Sequence, residues 1–187
     1  MAVLGVIVAS TREQRVGRIV ADWFVEHAHQ HATFEVELHD LKEIALPMLD
    51  EPHHPRFQKY QHEHTKAWSA RISRADAFVV VTPEYNYGSP PALINALDYL
   101  WHEWQYKPMG FVSYGGVSGG LRSVQMTKLV ATTLKLVPMA EGVTIALVGQ
   151  QIKDGKFDAT EKHVGSILPL LTELHRWSEA LRPLRKV

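Results

Sequence analysis

Residues 3–9 read Val-Leu-Gly-Val-Ile-Val-Ala, followed at once by Ser10-Thr11-Arg12-Glu13-Gln14-Arg15-Val16-Gly17-Arg18. The first seven are a near-continuous apolar run rich in β-branched side chains, as expected of a strand buried on both faces. Beyond them Val16, Ile19, Val20, Trp23 and Phe24 recur at spacings of three and four, which is one face of a helix. A buried strand, a polar loop and an amphipathic helix in that order are the opening unit of a parallel α/β sheet.

The unit repeats. Phe34–His39 alternates apolar and polar residues and predicts a second, edge-like strand. Ala77–Val81 (AFVVV), Met109–Ser113 and Val143–Val148 predict three more. Between them, Leu46–Pro55 carries three prolines and is a loop, and helical spacing resumes around Phe57, Tyr60, His64, Trp68 and Ile72. Pro90 and Pro91 are placed to open a helix bearing Leu93, Leu97, Leu100, Trp101 and Trp104, and a further helix ends near Leu134. Asp158 with Glu161 resembles a capping box for a last helix to about Leu181, with Pro169 as its kink or its start. The expectation is one domain over residues 1–187, with five parallel strands in the order 2-1-3-4-5 and helices on both faces. Ligand loops then lie at the carboxyl ends of the strands, beside the switch point.

Composition narrows the function. With 45% apolar and 21% charged residues the chain is globular, and its formal net charge is zero. A general nucleic-acid binder would carry a basic excess, and an acidic electron carrier that docks by its field would carry the opposite. There is no cysteine, which excludes disulfides, thiolate catalysis and cysteine-rich metal centres. The apolar run at residues 1–9 lacks a basic leader and is too short to span a bilayer. A cytoplasmic protein without membrane or nucleic-acid partners is expected.

Three loops carry the chemistry. The first, Ser10–Arg18, lacks the glycine fingerprint of a dinucleotide site and offers two hydroxyls and three arginines at a helix N-terminus. Hydroxyl donors and guanidinium forks suit a terminal phosphate with two charges. Helix capping by Ser10 or Thr11, with solvated arginines, is the plainer alternative. The second loop, Thr82-Pro83-Glu84-Tyr85-Asn86-Tyr87-Gly88-Ser89-Pro90-Pro91, is a turn able to present fixed donors and acceptors to the edge of a flat heterocycle. The third, Ser113-Tyr114-Gly115-Gly116-Val117-Ser118-Gly119-Gly120, has two Gly-Gly pairs that permit positive φ and close approach of a ligand.

With these loops in view, the sequence resembles the NADPH-dependent FMN reductase family, flavodoxin-like proteins that include quinone and azo-dye reductases. The stretches ASTREQRVG (9–17), TPEYNYGSPPALINALDYL (82–100) and HEWQYKPMGFVSYGGVSGG (102–120) carry the resemblance. It implies a flavodoxin-like three-layer sandwich with FMN bound. Ser10, Arg12, Arg15, Val16 and Gly17 would hold the phosphate, and Pro83, Glu84, Tyr85 and Asn86 would frame the isoalloxazine. Ser113, Tyr114, Gly115 and Gly116 would lie beside the ring. The chain departs from the family in having Ala9 where Gly is frequent, and Arg15-Val16-Gly17 where Ser-x-Asn is frequent. The resemblance further implies NADPH or NADH as co-substrate and ping-pong hydride transfer to FMN, quinones or azo compounds. No catalytic side chain is required, because the flavin carries the chemistry. An FMN-bound electron carrier or redox-sensing partner protein is the alternative.

The eleven histidines predict no metal site. His27, His29 and His31 alternate on a helix end, as His62 and His64 do, and so should diverge. Trp101 and Trp104 are expected at a subunit interface, since the helix beside the second loop forms the family's dimer contact. A homodimer or a dimer of dimers follows.

Overall fold

The structure, a computed structural model, describes residues 1–31 and 33–185. Ala2–Val8 forms β1, Gly17–Gln30 α1, Phe34–Asp40 β2, and the single turn Leu41–Ile44 α2. Glu63–Arg74 (α3), Ala77–Pro83 (β3), Pro91–Asp98 (α4), Pro108–Tyr114 (β4), Leu121–Thr133 (α5) and Val137–Ile145 (β5) continue the alternation. A short ribbon, Ile152–Lys153 (β6) with Lys156–Phe157 (β7), precedes Glu161–Gly165 (α6) and Ile167–Leu181 (α7). The main sheet is parallel in the order β2-β1-β3-β4-β5, as the apolar runs predict.

Side chains alternate through the sheet into two cores. Ala77, Val79 and Val81 face Val20 and Phe24 of α1 and Leu170 and Leu174 of α7. Phe78 and Val80 face Trp68 and Ile72 of α3, Leu93 and Leu97 of α4, and Val124 of α5. Among the described residues no helix is long and apolar enough to cross a membrane.

The differences from expectation have local causes. β5 starts at Val137, not Val143, because an edge strand tolerates Pro138, and it ends where Leu147 takes a φ of 52°. The tryptophan stripe is not one helix: α4 stops at Asp98, and Trp104 sits on a separate turn, His102–Trp104. Trp104 is fully buried, edge-on to Phe78 at 5.0 Å, and its indole N–H donates to the carbonyl of Leu97. It belongs to the core of its own chain, so the expected interface does not run through it. The last helix is capped by Thr160 with His163, not by Asp158, and it breaks at Ser166, leaving Pro169 in the first turn of α7. His62 precedes α3 in extended conformation, so its ring stacks parallel on that of His64 at 5.1 Å instead of diverging.

Candidate functional site

The register places the three loops side by side. Val8 lies opposite both Asp40 and Val81, Thr82 opposite Ser113, and Pro83 opposite Tyr114. The loops after β1, β3 and β4 therefore leave one end of the sheet together.

In the first loop, α1 begins at Gly17 with Val16 as its N-cap, and among the described residues no side chain bonds its free N–H groups. Neither Ser10 nor Thr11 caps it, and its first turn holds no acidic residue. The bare positive end of the helix dipole favours an anion there. A second observation points the same way. Among the described residues the hydroxyls of Ser10 and Tyr114 are buried with no partner beyond each other, and both lie 2.3 Å from where a Cβ on Gly17 would stand. Burial pushes the Tyr114 phenol well above its usual range, so it stays a neutral O–H donor. Two buried hydroxyls and an uncapped helix end, converging beside Gly17, could hold a terminal phosphate.

The three arginines divide. Arg15 forks onto Asp40 at 2.5 and 2.6 Å and donates to the carbonyl of Ser10 at 2.6 Å. Arg18 is held by Asp22, Glu43 and Asp40. Burial raises the Asp40 carboxyl, but hydrogen bonds from Arg15, Arg18 and the Lys42 N–H outweigh it and hold the pKa below the usual range. Arg15 thus braces the loop against the end of β2. Arg12 alone is exposed, with no ion-pair or hydrogen-bond partner among the described residues. Asp40 has no motif to announce it: it lies 25 residues from Arg15 and ends an ordinary alternating strand.

The second loop is a tight hairpin turn. Tyr85 and Gly88 exchange N–H···O bonds of 3.0 and 2.9 Å across Asn86 and Tyr87, whose φ angles are 49° and 67°. Positive φ at both central positions is the type I′ pattern. Half-buried Tyr85 faces the charges of Arg12 and Arg15, which joins this turn to the first loop. Glu84 points the other way. It accepts from the Ser118 hydroxyl at 2.8 Å, the Arg122 N–H at 3.1 Å and the Arg122 guanidinium at 2.9 Å. Its role in these contacts is to tie the second loop to the third, a link that composition did not reveal.

In the third loop, Ser113 and Tyr114 are buried at the end of β4. The Gly115 N–H donates to Ile145, and the Gly115 and Gly116 carbonyls accept from Val148 and Leu147. A Cβ on Gly116 would meet nothing within 4 Å. The constrained pair is Gly119 and Gly120, with φ of 59° and 84°, and a Cβ on Gly120 would stand 2.8 Å from the backbone of Tyr114. Close approach at that pair is to the chain itself.

A groove of about 440 Å³ adjoins the first loop, lined by Thr11, Leu41, Leu46, Met48, Ala92 and Asn95. A larger cavity of about 520 Å³ opens at the opposite end of the sheet around Asp76, Lys107 and Arg185. Burial lowers the Lys107 pKa to about 7, yet its ammonium already donates to the carbonyls of Ile72 and Ser73. Arg185 is likewise closed onto Asp76. Among the described residues no group of three or more His, Asp or Glu side chains is placed to hold a metal ion.

Sheet order, layers and an anion cradle at the switch point define a flavodoxin-like α/β domain. The FerB flavoenzyme NAD(P)H:(acceptor) oxidoreductase from Paracoccus denitrificans superposes with a TM-score of 0.75 at 21% identity, over 96% of this chain and 98% of its own. A family model for NADPH-dependent FMN reductase matches residues 1–150. An NAD(P)H-dependent FMN reductase of Schizosaccharomyces pombe is 40% identical over 186 residues, 97% of this chain and 92% of its own. An NADPH azoreductase of a Bacillus species is 27% identical over 171 residues, 90% and 88% of the two chains. The chain belongs to the NADPH-dependent FMN reductase family and is an oxidoreductase that works with FMN and a nicotinamide nucleotide.

Proposed function

We propose that this enzyme binds FMN across the three loops and passes electrons from NAD(P)H to quinone or azo acceptors, the two substrates using one site in turn. The observation that carries the reading is the convergence of the buried Ser10 and Tyr114 hydroxyls, which have no partner beyond each other, on Gly17 at an uncapped helix end. When bound, FMN supplies a ring that takes up a hydride and gives two electrons to an acceptor.

The chain's own residues bind and align. Ser10, Tyr114, Arg12 and the N–H groups around Val16 and Gly17 hold the phosphate, while Arg15 fixes the loop's path through Asp40. Pro83, Tyr85 and Asn86 would face the ring from the second loop. Ser113, Gly115, Gly116 and the main chain of Tyr114 would back it from the third, with Glu84 joining the two loops. Alignment is the protein's main contribution, so no single proton donor is required. The azoreductase among the relatives supports azo acceptors. Exposed Met48, Leu49 and Phe57 on the segment between α2 and α3 support pairing of two copies through it.

The test is steady-state kinetics on the purified yellow protein, with FMN confirmed by release on heating. NAD(P)H and a quinone varied together should give parallel double-reciprocal lines. Intersecting lines would refute alternate use of one site, and absence of bound FMN would refute the cofactor assignment.

A further inference from the structure

Tyr87 occupies a position that its surroundings do not explain. At a φ of 67° it is the second central residue of a type I′ turn, where glycine or asparagine is favoured and a bulky side chain is strained. Strain of this kind persists where something else depends on it. Folding does not, since the side chain is 73% exposed and so contributes little to the core.

The ring is nevertheless held. The Arg122 guanidinium carbon lies 4.1 Å from the ring centroid, a close cation–π contact. Arg122 is itself fixed by Glu84 through its N–H and its guanidinium, and Ser118 fixes Glu84 in turn. The result is an aromatic plate supported by a guanidinium and anchored through a carboxylate to the third loop. Beside Ser118 in that loop, Val117 is 89% exposed, which adds apolar surface at the mouth of the site. Because the Arg122 charge is matched by Glu84, the plate favours a flat aromatic body more than an anion.

We propose that Tyr87, braced by Arg122, is the stacking platform that selects planar aromatic electron acceptors. This rests on the reading of the neighbouring loops as the FMN site. A flat quinone lies against the ring, whereas a compact inorganic acceptor such as hexacyanoferrate(III) gains nothing from it.

The experiment compares the holoenzyme with Tyr87→Gly, which suits the positive φ and so folds at least as well, and with Tyr87→Phe. Calorimetric titration with 1,4-naphthoquinone, without nucleotide, should show roughly tenfold weaker binding to Tyr87→Gly and near-normal binding to Tyr87→Phe, the factor an aromatic stacking contact carries. In turnover, the ratio of kcat/KM for naphthoquinone to that for hexacyanoferrate(III) should fall by about the same factor in Tyr87→Gly. Naphthoquinone affinity and ratio equal to those of the parent would overturn the proposal. So would a rise confined to the KM for NAD(P)H, which would make the plate a nicotinamide platform. Loss of FMN or of all NAD(P)H oxidation in the parent protein would instead refute the underlying cofactor reading.

Discussion

Replacing Gly17 by alanine tests the phosphate cradle at its narrowest point. The added methyl would stand 2.3 Å from both the Ser10 Oγ and the Tyr114 hydroxyl, and 3.2 Å from Tyr114 Cζ. Ordinary contact begins near 3.4 Å, so each oxygen must retreat by about 1 Å. Ser10 can turn about its Cα–Cβ bond, but Tyr114 ends a rigid ring buried in β4. Overpacking of this kind costs about 1–3 kcal/mol. Against it, alanine gains up to about 1 kcal/mol over glycine in a helix. With the full helix gain the flavin-free protein should lose about 0–2 kcal/mol, read as a lower urea midpoint at constant slope. FMN should suffer more, because two donors are driven from a charged group. At about 1.5 kcal/mol or more for each bond, affinity should fall at least about 100-fold in a fluorescence titration. Tyr114→Phe removes one of the two oxygens, so the double variant should bind FMN better than the two single losses multiplied together. Wild-type FMN affinity in Gly17→Ala would refute the cradle.

Arg12→Ala should weaken FMN binding by roughly tenfold or more, since a charge-assisted bond is worth about 1.5–3 kcal/mol, while urea stability stays put because Arg12 has no partner among the described residues. An unchanged titration curve would remove Arg12 from the site. Burial and the neighbouring Arg71 charge lower the His39 pKa from 6.5 to about 4 although the Glu37 carboxylate lies 4.0 Å from its Nε2, and among the described residues neither ring nitrogen has a hydrogen-bond partner. The unfolded chain then binds a proton that the folded chain refuses between those values, so stability is intact above pH 6.5 and falls by up to about 3 kcal/mol towards pH 4. His39→Leu should flatten that limb of the urea midpoint against pH. Asp40, whose pKa is depressed, gives up its contribution only at lower pH, so an unchanged slope between pH 6.5 and 4 would refute the assignment to His39.

The sheet was legible because its central strands are buried on both faces and so need only be continuous apolar runs. Phe78, Val80, Val79 and Val81 serve opposite cores without any polar alternation to confuse the pattern. β5, at the edge, mixes exposed and buried positions and carries Pro138, and its start was missed for that reason. The loops were legible by composition and not by geometry. Of Arg12, Arg15 and Arg18, two are held by Asp40, at the end of another strand, and no local spacing encodes which one is left over. The glycines mislead in the same way. The conspicuous pair Gly115-Gly116 has room to spare at Gly116, while the isolated Gly17, at the head of an apparently ordinary helix, has no room for a methyl beside the Ser10 and Tyr114 hydroxyls.

What separates these positions is whether local rules are obeyed. α5 starts from a left-handed glycine and α6 from a complete capping box, and each serves its fold. α1 starts with neither, as α3 and α4 do, but among the described residues only beside α1 do bare N–H groups meet two buried hydroxyls, and the neighbouring loop after β3 holds a tyrosine in a backbone conformation suited to glycine. Each departure costs stability alone, and all sit at one end of one sheet. Sites are where sequences break local rules together. A bound phosphate and a stacked ring would satisfy these groups at once, which makes the cluster, more than any single residue, the reason to place the flavin there.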